Sequence, residues 1–209
     1  MRFADLLRLT RETPLFETGL LLAGEVQPAS VRVQLARWVK EGKLQRLRRG
    51  LYLLAEPYRA TTPHPFQIAN MLVQPSYVSL QAALAYYGLI PEHVPQPTSV
   101  TVRRPARYVT PVGAFFFRHI HPRLFWGYRR VEVAPGAWAW VAEPEKALLD
   151  LLHLTPHSDA PAFLQELRLQ HLTRLDPRRL QAMARRMGSP KVQRAAEAVL
   201  ALRAREEEP

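Results

Sequence analysis

His119 and His121 lie one residue apart in GAFFFRHIH (113–121), an alternating stretch in which strand geometry would put both rings on one face. Two imidazoles at that spacing can hold zinc only with a third ligand. His153 and His157 are available, but nothing in the sequence sets their distance, and Phe115 and Phe117 share the same face. That company points to packing or partner contact, so no metal site is assigned. Glu143, Glu145 and Asp150 offer carboxylates for acid–base or metal-assisted chemistry. Glu143 and Glu145 open a helix, where acids meet its dipole favourably, and Asp150 falls on a different face from Glu145. Their expected role is structural.

The arginines carry the stronger signal. Residues 1–60 hold 11 Lys/Arg against 6 Asp/Glu, residues 61–140 hold 7 against 2, and residues 141–209 hold 11 against 10. All but one unit of the net charge of +11 therefore sits in the first two thirds of the chain, as expected if those parts face a polyanion. Among the 29 basic residues 4 are Lys, a bias compatible with a GC-rich genome or a hot habitat. No GxGxxG, P-loop or GxSxG motif occurs, and no local context supports a Ser/His/Asp triad, so neither an enzyme nor a cofactor is expected. There is no cysteine, which removes disulfides and thiol chemistry and makes the cytoplasm the expected compartment. No apolar run reaches the roughly 20 residues that span a bilayer. The opening MRFADLLRLTRE lacks the features of a signal peptide.

Residues 1–60 read as a compact unit. Phe3, Leu6, Leu7 and Thr10 give a first helical stripe, stopped by Pro14. Thr18 suits the cap of a short second helix, Gly19 to Ala23, ending at Gly24. Pro28 suits the first turn of a third helix running to Glu41, with Gly42 beyond it. Lys43–Leu47 and Leu51–Leu54 follow as a hairpin around Arg48-Arg49-Gly50. This is the order of a winged helix-turn-helix. On the third helix Val31, Leu35, Trp38 and Val39 fall inward, while Ser30, Val33, Arg37 and Lys40 form the opposite stripe with Gln34 beside it. Such a stripe fits a major groove of double-stranded DNA: Arg37 to read guanine, Gln34 adenine, Val33 a thymine methyl. Lys43, Arg46, Arg48 and Arg49 are expected along phosphates or in the minor groove.

After a proline-rich connection, AEPYRATTPHP (55–65), residues 66–90 read as two helices joined at Gln74-Pro75, with Ser76 or Ser79 capping the second and Gly88 ending it. Residues 98–103, 113–121, 127–133 and 137–142 alternate as strands. Helices are expected over Pro144–Leu154, Ala160–Leu172, Asp176–Met187 and Pro190 to about Arg205. Arg103, Arg104, Arg107, Arg118, Arg123, Arg129 and Arg130 give residues 61–140 a positive field of their own, for DNA, RNA or an acidic protein. Phe125, Trp126 and Tyr128 could stack single-stranded bases, but an aromatic core strand with solvated arginines around it is the favoured reading.

The segments RLRRGLYLL, YVSLQAALAYYGLIPE, SVTVRR, FFFRHIHPRLFWGY and AEPEKALLDLLHL together resemble the AbiEi-type antitoxin and transcriptional regulator family of type IV toxin–antitoxin systems. The resemblance runs from about residue 5 to residue 200, and its most specific pieces are SLQAALAYYGL and PEKALLDLL. It implies an α+β chain: a winged helix-turn-helix (1–60) that represses its own operon, then a sheet-and-helix antitoxin or effector domain (61–209) ending in several helices. It also implies a nucleotidyltransferase toxin as functional counterpart, opposed without a stable complex. The DNA-binding role carries over onto Ser30–Lys40 and Arg46–Gly50. A different reading keeps the first unit as scaffold and gives the basic second domain an RNA or protein partner.

Overall fold

The computed structural model describes residues 2–10, 12–22 and 27–207. Helix α1 (Phe3–Thr10) buries Leu6 and Thr10, and the Thr10 hydroxyl donates to the Leu6 carbonyl at 2.8 Å. A short strand β1 (Leu15–Glu17) follows, then a 3-10 turn over Thr18–Leu22. The expected end of the second helix, at Ala23 and Gly24, lies outside the described residues. Helix α2 (Pro28–Lys40) opens on proline and buries Val31, Leu35 and Trp38, the inward set expected from its period. Strands β2 (Leu44–Arg48) and β3 (Leu51–Leu54) form the hairpin, with Gly50 at φ +82°, a left-handed conformation that favours glycine. Strand β1 joins them in a three-stranded sheet of order β1-β3-β2.

The hairpin has two apolar faces. Leu44, Leu54 and Phe16 belong to a core with α1 and α2. Leu47, Leu51 and Leu53 belong instead to the large core of the remaining chain. Side chains alternate along a strand, and a register shift between Arg46 and Arg48 moves the following residue across to the second face. The stretch over 55–65 thus connects two units that share a sheet.

Helix α3 (Pro65–Leu72) begins with a capping box between His64 and Gln67. Across the cis Gln74-Pro75 bond comes strand β4 (Ser76–Val78), then α4 (Leu80–Tyr86). The two helices expected here are therefore separated by a strand. All three β4 residues are buried, so the run shows none of the alternation that marks a half-buried strand. Strands β5 (Thr98–Thr101), β6 (Ala106–Thr110), β7 (Gly113–His119), β8 (Tyr128–Ala134) and β9 (Ala137–Ala142) complete a six-stranded mixed sheet of order β6-β7-β5-β4-β9-β8. Strand β6 adds to the four expected; Pro105 and Pro111 bracket it and disguise it as a turn. β4 runs parallel to β9 and β5 to β7, and the other pairs are antiparallel.

Helices α5 (Pro144–Leu154), α6 (Pro161–Glu166), α7 (Pro177–Met187) and α8 (Pro190–Glu207) close the chain. Helix α6 stops well short of Leu172, because Arg168 and His171 take left-handed φ values of 50° and 53°, which no continuing helix permits. The whole is a mixed α+β fold. No helix among the described residues is long and apolar enough to cross a membrane.

Candidate nucleic-acid interface

The buried side of α2 fixes what the other side shows. With Val31, Leu35 and Trp38 in the core, Ser30, Val33, Arg37 and Lys40 are exposed and Gln34 is half-buried. Val33 is 72% exposed, so the middle of the stripe is an apolar contact point flanked by polar ones. Arg37 Nε donates to Glu41 Oε1 at 2.7 Å, and Lys43 Nζ donates to the other oxygen, Oε2, at 2.8 Å. The two cations, Lys43 first, hold the Glu41 carboxyl below its usual range. Lys43 also lies 5.2 Å from the Phe3 ring centroid. It is thus partly committed within the protein, while Arg46 and Arg49 are exposed on the hairpin.

Arg48 departs from the sequence reading. Its Nε donates to the Leu72 carbonyl at 2.9 Å, and its Nη2 to the Met71 carbonyl at 3.0 Å and to Glu17 Oε1 at 2.7 Å. The guanidinium fastens the hairpin to the C-terminal end of α3, where cations are favoured, and is not free to follow phosphates. The register shift at Leu47 is the cause, since plain alternation would have kept Arg48 on the face of Arg46.

The seven arginines of residues 61–140 are all exposed but do not share one surface. β6, carrying Arg107, and β8, carrying Arg129 and Arg130, are opposite edges of the six-stranded sheet, roughly 24 Å apart at about 4.8 Å per strand. Arg103 Nε donates to the Gln74 carbonyl, and Arg118 Nη2 to the Leu154 carbonyl at 2.9 Å. Arg107 covers the Phe116 ring and Arg130 the Trp138 ring; Arg104 and Arg123 are exposed in the connections.

Phe125, Trp126 and Tyr128 pack inward, as the core-strand reading has it. Tyr128 stacks on Tyr77 with centroids 4.5 Å apart, and Phe125 lies 5.0 Å from Tyr77. Trp126 meets the cations of Lys146 and Arg186 at 5.1 and 4.1 Å. The well-exposed indoles are Trp138 and Trp140. The histidine pair also separates: β7 ends at His119, whose Nδ1 lies 3.0 Å from the Arg103 carbonyl. His121, beyond the strand, accepts from the Arg123 backbone N–H at 3.2 Å. No group of three or more His, Asp or Glu suited to a metal ion occurs among the described residues.

The acids of the PEKALLDLL helix do structural tasks. Glu143 pairs with Arg179, and Glu145 Oε1 accepts from the Asp176 backbone N–H at 2.9 Å. Asp150 lies at the centre of a buried polar network that composition did not reveal. Its Oδ2 accepts from Tyr77 at 3.0 Å and Ser79 at 2.9 Å, and its Oδ1 from Lys146. Lys146 Nζ also donates to Tyr77 Oη at 2.9 Å, and both charged residues are fully buried. Burial pushes Lys146 down and Asp150 up, each opposed by the other's charge. Gly127 leaves room for the lysine stem: a Cβ there would stand 3.0 Å from Lys146 Cγ. The available signal was a Lys and an Asp four apart inside an apolar helix, a spacing that places them side by side. Its burial depended on α4 and α7 packing over α5.

A groove of about 1010 Å³ opens between the segment before β1, the connection near Pro63, α3 and the β8–β9 hairpin. Trp138 and Trp140 form part of its wall.

No family model and no curated protein matches this chain. Among solved structures, the crystal structure of the RV2827C protein from Mycobacterium tuberculosis is similar, with a TM-score of 0.58 over 95% of this chain and 74% of that one. At 15% sequence identity the likeness extends to the fold alone.

Proposed function

We propose that this chain is a DNA-binding transcriptional regulator whose α1–β3 unit acts as a winged helix-turn-helix. The observation that carries this reading is the exposed stripe of Ser30, Val33, Arg37 and Lys40 on α2, backed by a buried apolar side. It adjoins a hairpin with exposed Arg46 and Arg49. An α-helix fits a major groove, arginine pairs with guanine there, and valine meets the thymine methyl. Autorepression, and opposition to a nucleotidyltransferase toxin, follow from the resemblance to AbiEi-type regulators and are proposed on that ground.

The test is fluorescence anisotropy against the DNA upstream of the gene, with a scrambled duplex alongside and salt varied. Preference for the native duplex by about 10³-fold or more supports a sequence-specific regulator. Equal, steeply salt-dependent binding to both overturns it and leaves a general attraction to polyanions. Arg37→Ala should weaken the native duplex by roughly 1–3 kcal/mol and relax specificity at one position. For the antitoxin part, the same variant should still restore growth against a co-expressed toxin encoded beside the gene, because repression and rescue would use different surfaces.

A further inference from the structure

We infer that the groove between α3 and the β8–β9 hairpin binds single-stranded nucleic acid, with Trp138 and Trp140 as its stacking platform. Trp138 is 44% exposed and Trp140 46% exposed, against 2% for Trp38 in the α2 core. Two residues apart on β9, they share one face and stand about 6.7 Å apart along the strand. That is roughly twice the 3.4 Å rise of a helical strand. The pair therefore suits bases splayed out of a stack, the form in which unpaired strands present them.

The platform is held rigid. Asn70 on α3 grips the backbone of Trp140 from both sides, accepting from its N–H at 2.6 Å and donating to its carbonyl at 3.3 Å. The Trp140 ring meets Tyr128 edge-on at 5.8 Å. Arg130, directly across from Trp140 in the register, lies over the Trp138 ring at 5.4 Å from its centroid, so a base stacking on that face shares the ring with the cation.

Charge selects the occupant. Among the described residues lining the groove, Arg130 and Glu12 carry the formal charges, and the rest are aromatic, apolar, amide or hydroxyl groups. At one end Arg103 is tied to the Gln74 carbonyl, with exposed Arg104 next to it. A nearly neutral floor, with Arg103 and Arg104 at one end and the Glu132 carboxylate held by the Gly136 N–H at the other, fits a strand whose bases turn inward and whose phosphates lie toward the arginine end. A duplex would present phosphates to the groove floor and keep its bases stacked out of reach of the indoles.

This site is separate from the α2 stripe, and its test is independent of the regulator reading. Oligo-dT, oligo-U and oligo-dU of about 15 nucleotides are titrated into the full chain and followed by tryptophan fluorescence, with inorganic polyphosphate as a polyanion that cannot stack. The expected result is saturable quenching by the oligonucleotides and little by polyphosphate. Trp138→Ala and Trp140→Ala should each weaken binding roughly 10-fold, while Trp138→Phe and Trp140→Phe stay near the parent. Stronger binding of oligo-U than of oligo-dU, which lacks only the 2′-hydroxyls, would mark RNA as the partner, and the opposite order would mark DNA. Arg37→Ala should leave these titrations unchanged. Equal binding of polyphosphate, indifference to the alanine variants, loss on Arg37→Ala, or no binding at low salt would each overturn the inference.

Discussion

Replacing Asp150 by alanine tests the buried network most sharply. It removes the acceptor of Tyr77, Ser79 and Lys146 at once, and Lys146 has no exposure to water. An ammonium left unpaired in such a place costs about 3–5 kcal/mol. The same figure follows from titration, because an ordinary lysine surrenders its proton at pH 7 for roughly 4–5 kcal/mol. Asp150→Ala should therefore lower the stability measured by urea denaturation by about 4 kcal/mol at pH 7. Lys146→Met with Asp150→Leu, which removes both charges, should stay within about 1–2 kcal/mol of the parent. The pH dependence is specific. In Asp150→Ala the folded state would carry neutral Lys146 while the unfolded chain binds a proton up to about pH 10.4. Stability of the variant then rises with pH, and its deficit should shrink by roughly 2–3 kcal/mol between pH 7 and pH 9. A deficit below about 1 kcal/mol, or one that does not change with pH, would refute a paired and charged Lys146.

Arg48→Ala should destabilise the chain by roughly 2–3 kcal/mol in the same assay, since it frees two α3 carbonyls and Glu17. It should leave the salt dependence of duplex binding unchanged, whereas Arg46→Ala and Arg49→Ala should each reduce the salt slope by about one. Gly127→Ala should destabilise measurably in thermal melts, because its φ is +74° and its Cβ would press on the Lys146 stem. His64 accepts from the Phe66 backbone N–H through Nδ1 at 3.2 Å, and burial holds its pKa below the ordinary 6.5. Its contribution is complete above pH 6.5 and is lost as pH falls through the lowered folded value. His64→Ser keeps a cap that does not titrate, so its melting temperature should fall less than the parent's between pH 7.5 and pH 5.5.

Helices α1 and α2 and the β2–β3 hairpin are legible because local rules agree there: an apolar period of 3.6, Pro28 at a helix start, Gly50 in a tight turn. The three-residue strand β1 is too short to show a period, and the expected second helix is a 3-10 turn over Thr18–Leu22. The exposed set on α2 follows from the buried set by the same geometry. The failures have particular causes. A one-residue bulge at Leu47 carries Arg48 to the opposite face, and a bulge leaves no mark in composition. β4 is buried on both faces, so Ser76–Val78 lacks alternation and merges with the helical run around it. Phe125, Trp126 and Tyr128 fit either a stacking surface or an aromatic core strand by sequence, and the fold bears out the core strand. In the fold they close over Tyr77 and Lys146, which lie some 50 positions before and 20 positions after them in the chain. Trp138 and Trp140 stand out in the sequence only as strand positions, because their exposure depends on which tertiary elements leave that face of β9 uncovered.

The division at residue 60 needs a physical qualification with functional weight. A DNA-reading unit on a free tether would respond to nothing in the rest of the chain. Here β3 gives Tyr52 and Leu54 to the α1–α2 core and Leu51 and Leu53 to the core behind the large sheet, so the hairpin is common to both. Arg48 adds a polar tie to the carbonyls of Met71 and Leu72, and Met71 also lines the groove beside Trp140, as does Asn70. One short helix thus contacts the groove with one part of its surface and the hairpin with its last turn. A strand bound against Trp138 and Trp140 that displaced α3 would have to break the Arg48 bonds or carry the hairpin with it. Coupling between the groove and the α2 surface should then appear as reciprocal changes in affinity, and Arg48→Ala should weaken that coupling more than it weakens either binding event alone.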